Sequence, residues 1–253
     1  MARRPRIYCP SPLAEGATVT LPESAARHLG KALRMGPGDP IRIFDGAGRE
    51  HEALLIEGGP GVRARIGASL TPLPESRLGI TLIQGISRGE RMDFVIQKAT
   101  ELGVTRIVPV QTARSVVRLD GERARRRQRH WQAVAASACE QCGRSVLPEV
   151  ELPRTLADAV AVAETRSDAP PMMRLMPDRA APDIRSLRPP EAGSVSLLIG
   201  PEGGLDPDEK ALASQSGFVA VGLGPRVLRT ETAALVAVAA CQLLWGDLSA
   251  SPK

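Results

Sequence analysis

Two glycine-containing loops carry the residues best suited to chemistry. Leu197-Leu198-Ile199-Gly200-Pro201-Glu202-Gly203-Gly204 runs an apolar strand into a glycine-rich turn. Gly222-Leu223-Gly224-Pro225-Arg226-Val227-Leu228-Arg229-Thr230-Glu231-Thr232 does the same one strand later, and sets Arg229, Glu231 and Thr232 against an apolar helix. Glycines at the carboxyl end of a strand let a ligand approach the backbone, and such crevices are where open α/β sheets bind ligands. Neither loop is a P-loop, because no Gly-Lys-Ser/Thr follows, and neither is Gly-x-Gly-x-x-Gly. Read alone, the first loop is equally a tight strand-to-helix turn, and in the second Thr230 could simply cap the last helix while Arg229 stays solvated.

Other chemistries are poorly served. Three histidines (His28, His51, His130) are too scattered for a Ser-His-Asp arrangement or a histidine metal site. Cys139-Glu140-Gln141-Cys142 has zinc-like spacing, but no second Cys or His pair matches it, so packing cysteines and no metal are expected. Four cysteines in 253 residues do not make a disulfide scaffold. Only six residues are aromatic, too few for a module that stacks RNA bases on an aromatic sheet. The longest apolar stretch, residues 233–245, is too short to span a bilayer. The N-terminus has no apolar segment behind its basic residues, so no membrane association and a cytoplasmic location are expected. The net charge of +5 is carried by 29 Arg against 4 Lys. Seven Arg against two acids lie in residues 112–130, a candidate face for phosphates or an ordinary solvated run.

The surrounding pattern predicts the elements that hold these loops. Residues 1–72 read as short strands split by turn signals, with one helical stretch at 22–33, a small β-barrel. Two prolines in residues 70–74 suggest the linker. Residues 73–250 alternate apolar strands (78–86, 106–110, 172–176, 195–199, 218–223) with helices, which implies an α/β domain with a mostly parallel sheet. Ser87 and Glu90 read as a capping box before a helix through Leu102; Asp206, Pro207 and Glu209 read as another. Residues 163–193 look loop-prone. The last helix, 231–245, is apolar all round and is expected to be buried in the fold or in an interface.

With these motifs in place, the sequence resembles the ribosomal RNA small-subunit methyltransferase E family of the SPOUT superfamily. The resemblance rests on Arg6-Ile7-Tyr8, the stretch from His28 to Arg34, Gly38-Asp39 and Phe44-Asp45-Gly46 in the first domain. In the second it rests on Gln97 to Val104, on Glu140-Gln141-Cys142-Gly143-Arg144 and, most specifically, on the two loops; Cys142 stands where a smaller residue is expected. It implies a PUA-like RNA-binding β-barrel followed by a SPOUT domain with a deep trefoil knot, which general connection rules would have rejected.

It further implies a homodimer that uses S-adenosylmethionine to methylate N3 of a uridine in 16S ribosomal RNA within the small ribosomal subunit. The implied cofactor residues are Leu175 and Met176, then Ile199, Gly200, Pro201, Gly203 and Gly204, then Leu223, Gly224, Val227, Leu228, Arg229 and Thr232. Uridine N3 carries a proton and is a poor nucleophile, so methylation needs that proton removed or the resulting anion stabilised. Arg229 is expected to stabilise charge on the uracil oxygens or hold the cofactor carboxylate, and either Glu202 or Glu231 to accept the proton or orient a water. Arg6, Arg34, Arg114 and Arg118 are the expected RNA contacts. A SPOUT enzyme acting on another RNA, a non-catalytic ribosome-assembly protein and an α/β enzyme using another nucleotide are the competing readings.

Overall fold

The computed structural model describes residues 4–57, 61–164, 172–191 and 193–249. The chain divides into two compact units, residues 1–75 with 136–147, and residues 76–135 with 148–253. Residues 136–147, expected in the second domain, thus cluster with the first.

The first unit contains β1 (Arg6–Tyr8), β2 (Thr18–Thr20), α1 (Glu23–Arg27) running into a π-helical turn at His28–Ala32, β3 (Pro40–Phe44), β4 (Glu50–Ile56) and β5 (Arg63–Leu70). They form a five-stranded sheet in the order β1-β3-β4-β5-β2, parallel at β1–β3 and antiparallel elsewhere. Side chains on a strand alternate between its faces, so Ile41 and Ile43, Ala53 and Leu55, and Ala64 and Ile66 all fall on one side. There they pack with Ile7, Val19, Leu21 and Leu29 into a single core. Residues 136–147 are stitched to this sheet: Tyr8 N donates to Glu140 Oε1 at 3.0 Å, Gly48 N to Ser145 O at 3.1 Å and Leu147 N to Gly46 O at 2.9 Å.

The second unit alternates β6 (Gly79–Gly85), α2 (Arg91–Glu101), β7 (Arg106–Gln111), α3 (Gly121–Cys142), β8 (Glu149–Val150), β9 (Arg154–Thr155), α4 (Leu156–Glu164), β10 (Met173–Pro177), β11 (Ser194–Ile199), α5 (Pro207–Gln215), β12 (Val219–Val221) and α6 (Thr230–Trp245). The end of α3 belongs to the first unit. Sheet order is β12-β10-β11-β6-β7-β8, with β9 also on β7, and every pair is parallel. The unbroken apolar runs of β6 and β11 follow from this, since a central parallel strand is buried on both faces. Within the stretch 163–193, read as loop-prone around a short strand at 172–176, β10 forms at that strand and lies between β12 and β11; residues 165–171 and 192 lie outside the described residues.

One local expectation changes. Ser87 does not cap α2, whose N-cap is Glu90 with no side-chain bond; Ser87 is buried, and the amide of Arg88 is taken by the distant Glu202 instead. The box at α5 forms as read: Glu209 N donates to Asp206 Oδ1 at 2.8 Å and Asp206 N to Glu209 Oε2 at 3.0 Å. Helix α6 is not enclosed on all sides. Ala234, Ala237, Val238, Cys241 and Gln242 are buried, whereas Val236, Leu243 and Leu244 face outward. Among the described residues no helix is long and apolar enough to cross a membrane.

Candidate active site

Strands β6, β11 and β12 deliver their carboxyl ends to one place. The turn after β11 closes through Gly204 N donating to Pro201 O at 2.8 Å, with Gly204 at φ +69°. A side chain on Gly200 would meet Gly204 C and Leu205 N at 2.9 Å, and one on Gly85 would meet Pro201 N at 2.4 Å. The ends of β6 and β11 therefore touch backbone to backbone, which only glycine permits here. Beyond β12, Gly222 N donates to Pro182 O at 2.7 Å, tying that loop to the segment after β10.

Thr230 joins the two glycine loops. It is the first residue of α6 and its N-cap is Arg229, so Thr230 does not cap the helix. Its hydroxyl donates to Gly200 O at 2.6 Å and accepts from Gln84 Nε2 at 3.0 Å.

Between the loops lies a cleft of about 650 Å³. Of the residues expected to hold a cofactor, Met176, Ile199, Gly200, Pro201, Gly203, Gly204, Val227, Leu228 and Arg229 line it. Leu175, Leu223, Gly224 and Thr232 do not; Leu175 is in the core, its side chain on the opposite side of the strand from the cleft-lining Met176. All three candidate catalytic residues, Arg229, Glu202 and Glu231, line the cleft, and so does Arg114, expected only as an RNA contact.

The two carboxylates differ. Glu202 Oε1 accepts from Arg88 N at 3.1 Å and from Arg91 Nη1 at 2.8 Å. Burial pushes the Glu202 carboxyl up, but the bonds from its own amide, Arg88 and Arg91, with the Arg91 charge, outweigh this and hold it below the usual value. It is a clamp that stays ionised. Glu231 Oε2 is buried without a hydrogen-bond partner in the structure, a costly arrangement that a bound donor would relieve. Arg114 Nη1 donates to Gly203 O at 2.8 Å and Ala113 N to Glu209 Oε1 at 2.6 Å, so the β7–α3 loop forms one wall.

Arg34 and Arg118 are exposed, and Arg34 adopts a left-handed backbone at φ 55°, uncommon for a residue other than glycine. Arg6 is a correction. Its side chain is 4% exposed and engaged by Glu50, by the carbonyls of Cys139 and Arg144 and by Ser145, so it holds the β unit together and cannot reach RNA. An Arg in a basic N-terminus looks like a surface cation; only the tertiary position of Glu50 and residues 139–145 shows otherwise. Gln84, Gly85, Arg91 and Lys210 were not singled out in the sequence. The one signal for Gln84 is a polar residue inside an apolar run.

The residues present suit S-adenosylmethionine. The cleft offers a glycine-lined backbone for close approach, apolar Met176, Leu198 and Leu228, and cationic Arg114 and Arg229 for a carboxylate. Among the described residues no group of three or more His, Cys, Asp or Glu is gathered to hold a metal ion.

The family described as RNA methyltransferase domain matches residues 74–242, and RNA methyltransferase PUA domain matches residues 21–66. The chain is 34% identical to the ribosomal RNA small subunit methyltransferase E of Mycobacterium bovis over 93% of this chain and 90% of that one. The Bacillus subtilis protein of the same name is 30% identical over 92% and 94%. Its fold is similar to that of ribosomal RNA small subunit methyltransferase E from Neisseria gonorrhoeae bound to S-adenosyl methionine, with TM-score 0.88, 44% identity and coverage of 97% and 99%. It is also similar to a putative methyltransferase from Legionella pneumophila in complex with the bound cofactor SAM, with TM-score 0.90, 38% identity and coverage of 98% and 100%.

Proposed function

Since the chain belongs to the ribosomal RNA small subunit methyltransferase E family, we propose that it transfers a methyl group from S-adenosylmethionine to N3 of a uridine in 16S ribosomal RNA. The observation that carries this reading is the convergence of both glycine loops on one cleft, with Arg229 and Glu231 on either side of the Thr230 anchor. When bound, S-adenosylmethionine supplies an electrophilic methyl group on a cationic sulfur.

The residues of the chain do the rest. The backbone of residues 199–204 and the side chains of Met176, Leu198 and Leu228 hold the cofactor. Glu231, on the lining of the cleft, receives the N3 proton of uracil as N3 attacks. Arg229 faces the charge that develops on the uracil oxygens. Glu202 does not serve as the base, because Arg88 and Arg91 occupy it and hold it ionised; it fixes the turn against the start of α2. The uridine enters unpaired or flipped out of its stack.

Arg118 and four exposed arginines of α3, Arg123, Arg126, Arg127 and Arg129, supply the phosphate contacts of this unit, and Arg34 that of the β unit, while Arg114 stays on the cleft at Gly203. The outward apolar side chains of α6, Val236, Leu243 and Leu244, support a homodimer, which works in the cytoplasm where ribosomes are assembled. Mass-spectrometric mapping of ribosomal RNA from cells with and without this protein tests the reading. A 3-methyluridine that disappears with the protein is expected. An unchanged map refutes the reading, and a changed transfer RNA moves it to another substrate.

A further inference from the structure

The link between Thr230 and Gln84 does more than join two loops. A hydroxyl has one proton to donate. Gln84 Nε2 donates to Thr230 Oγ1 at 3.0 Å, so the hydroxyl proton is directed to Gly200 O, 2.6 Å away. The orientation of the Gln84 amide is itself determined: Nε2 also donates to Gly85 O at 3.0 Å, and turning the amide over would set two carbonyl oxygens against each other. Gln84 is fully buried, at the end of β6, beside the point where Gly85 abuts Pro201.

Three elements are thereby placed in register through one hydroxyl: the end of β6, the glycine turn after β11, and the first turn of α6. The residues flanking Thr230 are Arg229 and Glu231, both on the cleft. We infer that Gln84 and Thr230 form a positioning pair that aligns Arg229 and Glu231 with the cofactor turn, Gln84 acting by orienting the Thr230 hydroxyl toward Gly200. Gln84 does not line the cleft and Thr230 lines it between Arg229 and Glu231; the pair governs transfer more than cofactor affinity. This inference rests on the methyltransferase reading.

Initial rates of methyl transfer by the full-length protein to small ribosomal subunits lacking the modification test it, with the cofactor concentration varied. Thr230→Val keeps the shape and removes the hydroxyl; Thr230→Ser keeps the hydroxyl; Gln84→Met keeps the length of the side chain and removes the donor. Thr230→Val and Gln84→Met are expected to lower kcat about tenfold to a hundredfold, as small misplacements of reacting groups do, with the cofactor KM changed by less than about threefold if uniform binding is preserved. Thr230→Ser restores kcat. The double variant Gln84→Met/Thr230→Val is no slower than the slower single variant, because both break one device.

Losses that multiply in the double variant, failure of Thr230→Ser to restore kcat, or a change confined to KM or to melting temperature overturns the inference while leaving the enzyme reading intact. If Thr230→Val does not fold, Gln84→Met and Thr230→Ser still decide between the outcomes. A wild-type protein that transfers no methyl group overturns both.

Discussion

Arg6 forks onto Glu50 through bonds of 3.1 Å from Nε and 2.9 Å from Nη2, and both side chains are nearly inaccessible to solvent. The remaining Nη1 donates to Cys139 O at 2.6 Å, and the guanidinium lies 4.7 Å from the centre of the Phe44 ring. Ser145 Oγ donates to Glu50 Oε2 at 2.7 Å. One buried pair thus fastens β1 and β4 to residues 139–145. Removing one partner strands the other charge, so Arg6→Ala is expected to destabilise the first unit by about 3–5 kcal/mol. Replacing both partners with apolar residues costs less. Denaturant unfolding of the two variants checks this; equal losses would show that the stranded charge is not the source of the cost.

The same pair sets an acid limit. Burial raises the Glu50 carboxyl, but the hydrogen bonds from Arg6 and Ser145 and the charges of Arg6 and Arg42 bring it below the ordinary glutamate value. A carboxylate whose folded value is depressed contributes stability above its unfolded value, near 4.5, and loses it as pH falls through the folded one. Stability of the wild type should therefore decline below about pH 4.5, and this slope should shrink in a Glu50→Gln variant. Melting temperature followed between neutral and acid pH reads it out.

Glu231 and Glu202 should separate sharply on substitution. Glu231→Gln removes the acceptor for the N3 proton and is expected to lower kcat by about 10²–10⁴. Glu202→Gln weakens a clamp to Arg91, a partly exposed pair of a kind worth about 0–1 kcal/mol, and should lower kcat by less than about tenfold. Single-turnover methyl transfer at saturating cofactor measures both. A larger loss at Glu202 would exchange the two roles.

A methyl group on Gly85 would stand 2.4 Å from Pro201 N. Gly85→Ala is expected to push the cofactor turn out of place. Overpacking costs about 1–3 kcal/mol, so the affinity for S-adenosylmethionine should fall tenfold or more, measured by calorimetry. A side chain at Gly200 acts the same way, by colliding with the turn's own backbone rather than by filling the cleft.

The arginines of α3 should act through phosphate. Changing Arg123, Arg126, Arg127 and Arg129 to Gln is expected to weaken RNA binding and to reduce the log–log salt slope by about 0.7–0.9 for each phosphate that is no longer neutralised. Binding titrations across a range of salt concentrations test it. An unchanged slope would make this a solvated helix face.

Much of the architecture is local and was therefore legible in the residues. A strand buried on both faces needs an unbroken apolar run, and 78–86 and 195–199 have one; a helix start needs free amides satisfied, and Asp206-Pro207-Asp208-Glu209 does so within four residues. The glycine loops were legible because Gly200 and Gly222 lie too close to backbone for a side chain and Gly204 and Gly224 take a positive φ. What the sequence could not show is which distant groups meet. Ser87 and Glu90 have the spacing of a cap, yet Glu202 supplies the acceptor for Arg88. Arg6 has the look of a surface cation, yet Glu50 and the carbonyls of Cys139 and Arg144 enclose it. Thr230 reads as a helix cap, yet its hydroxyl bonds Gly200 and Gln84. Hydrophobic period and turn chemistry are properties of neighbouring residues and are written along the chain. The partner of a polar group is decided by whatever the sheet order brings within about 3 Å of it, and that order exists only in three dimensions.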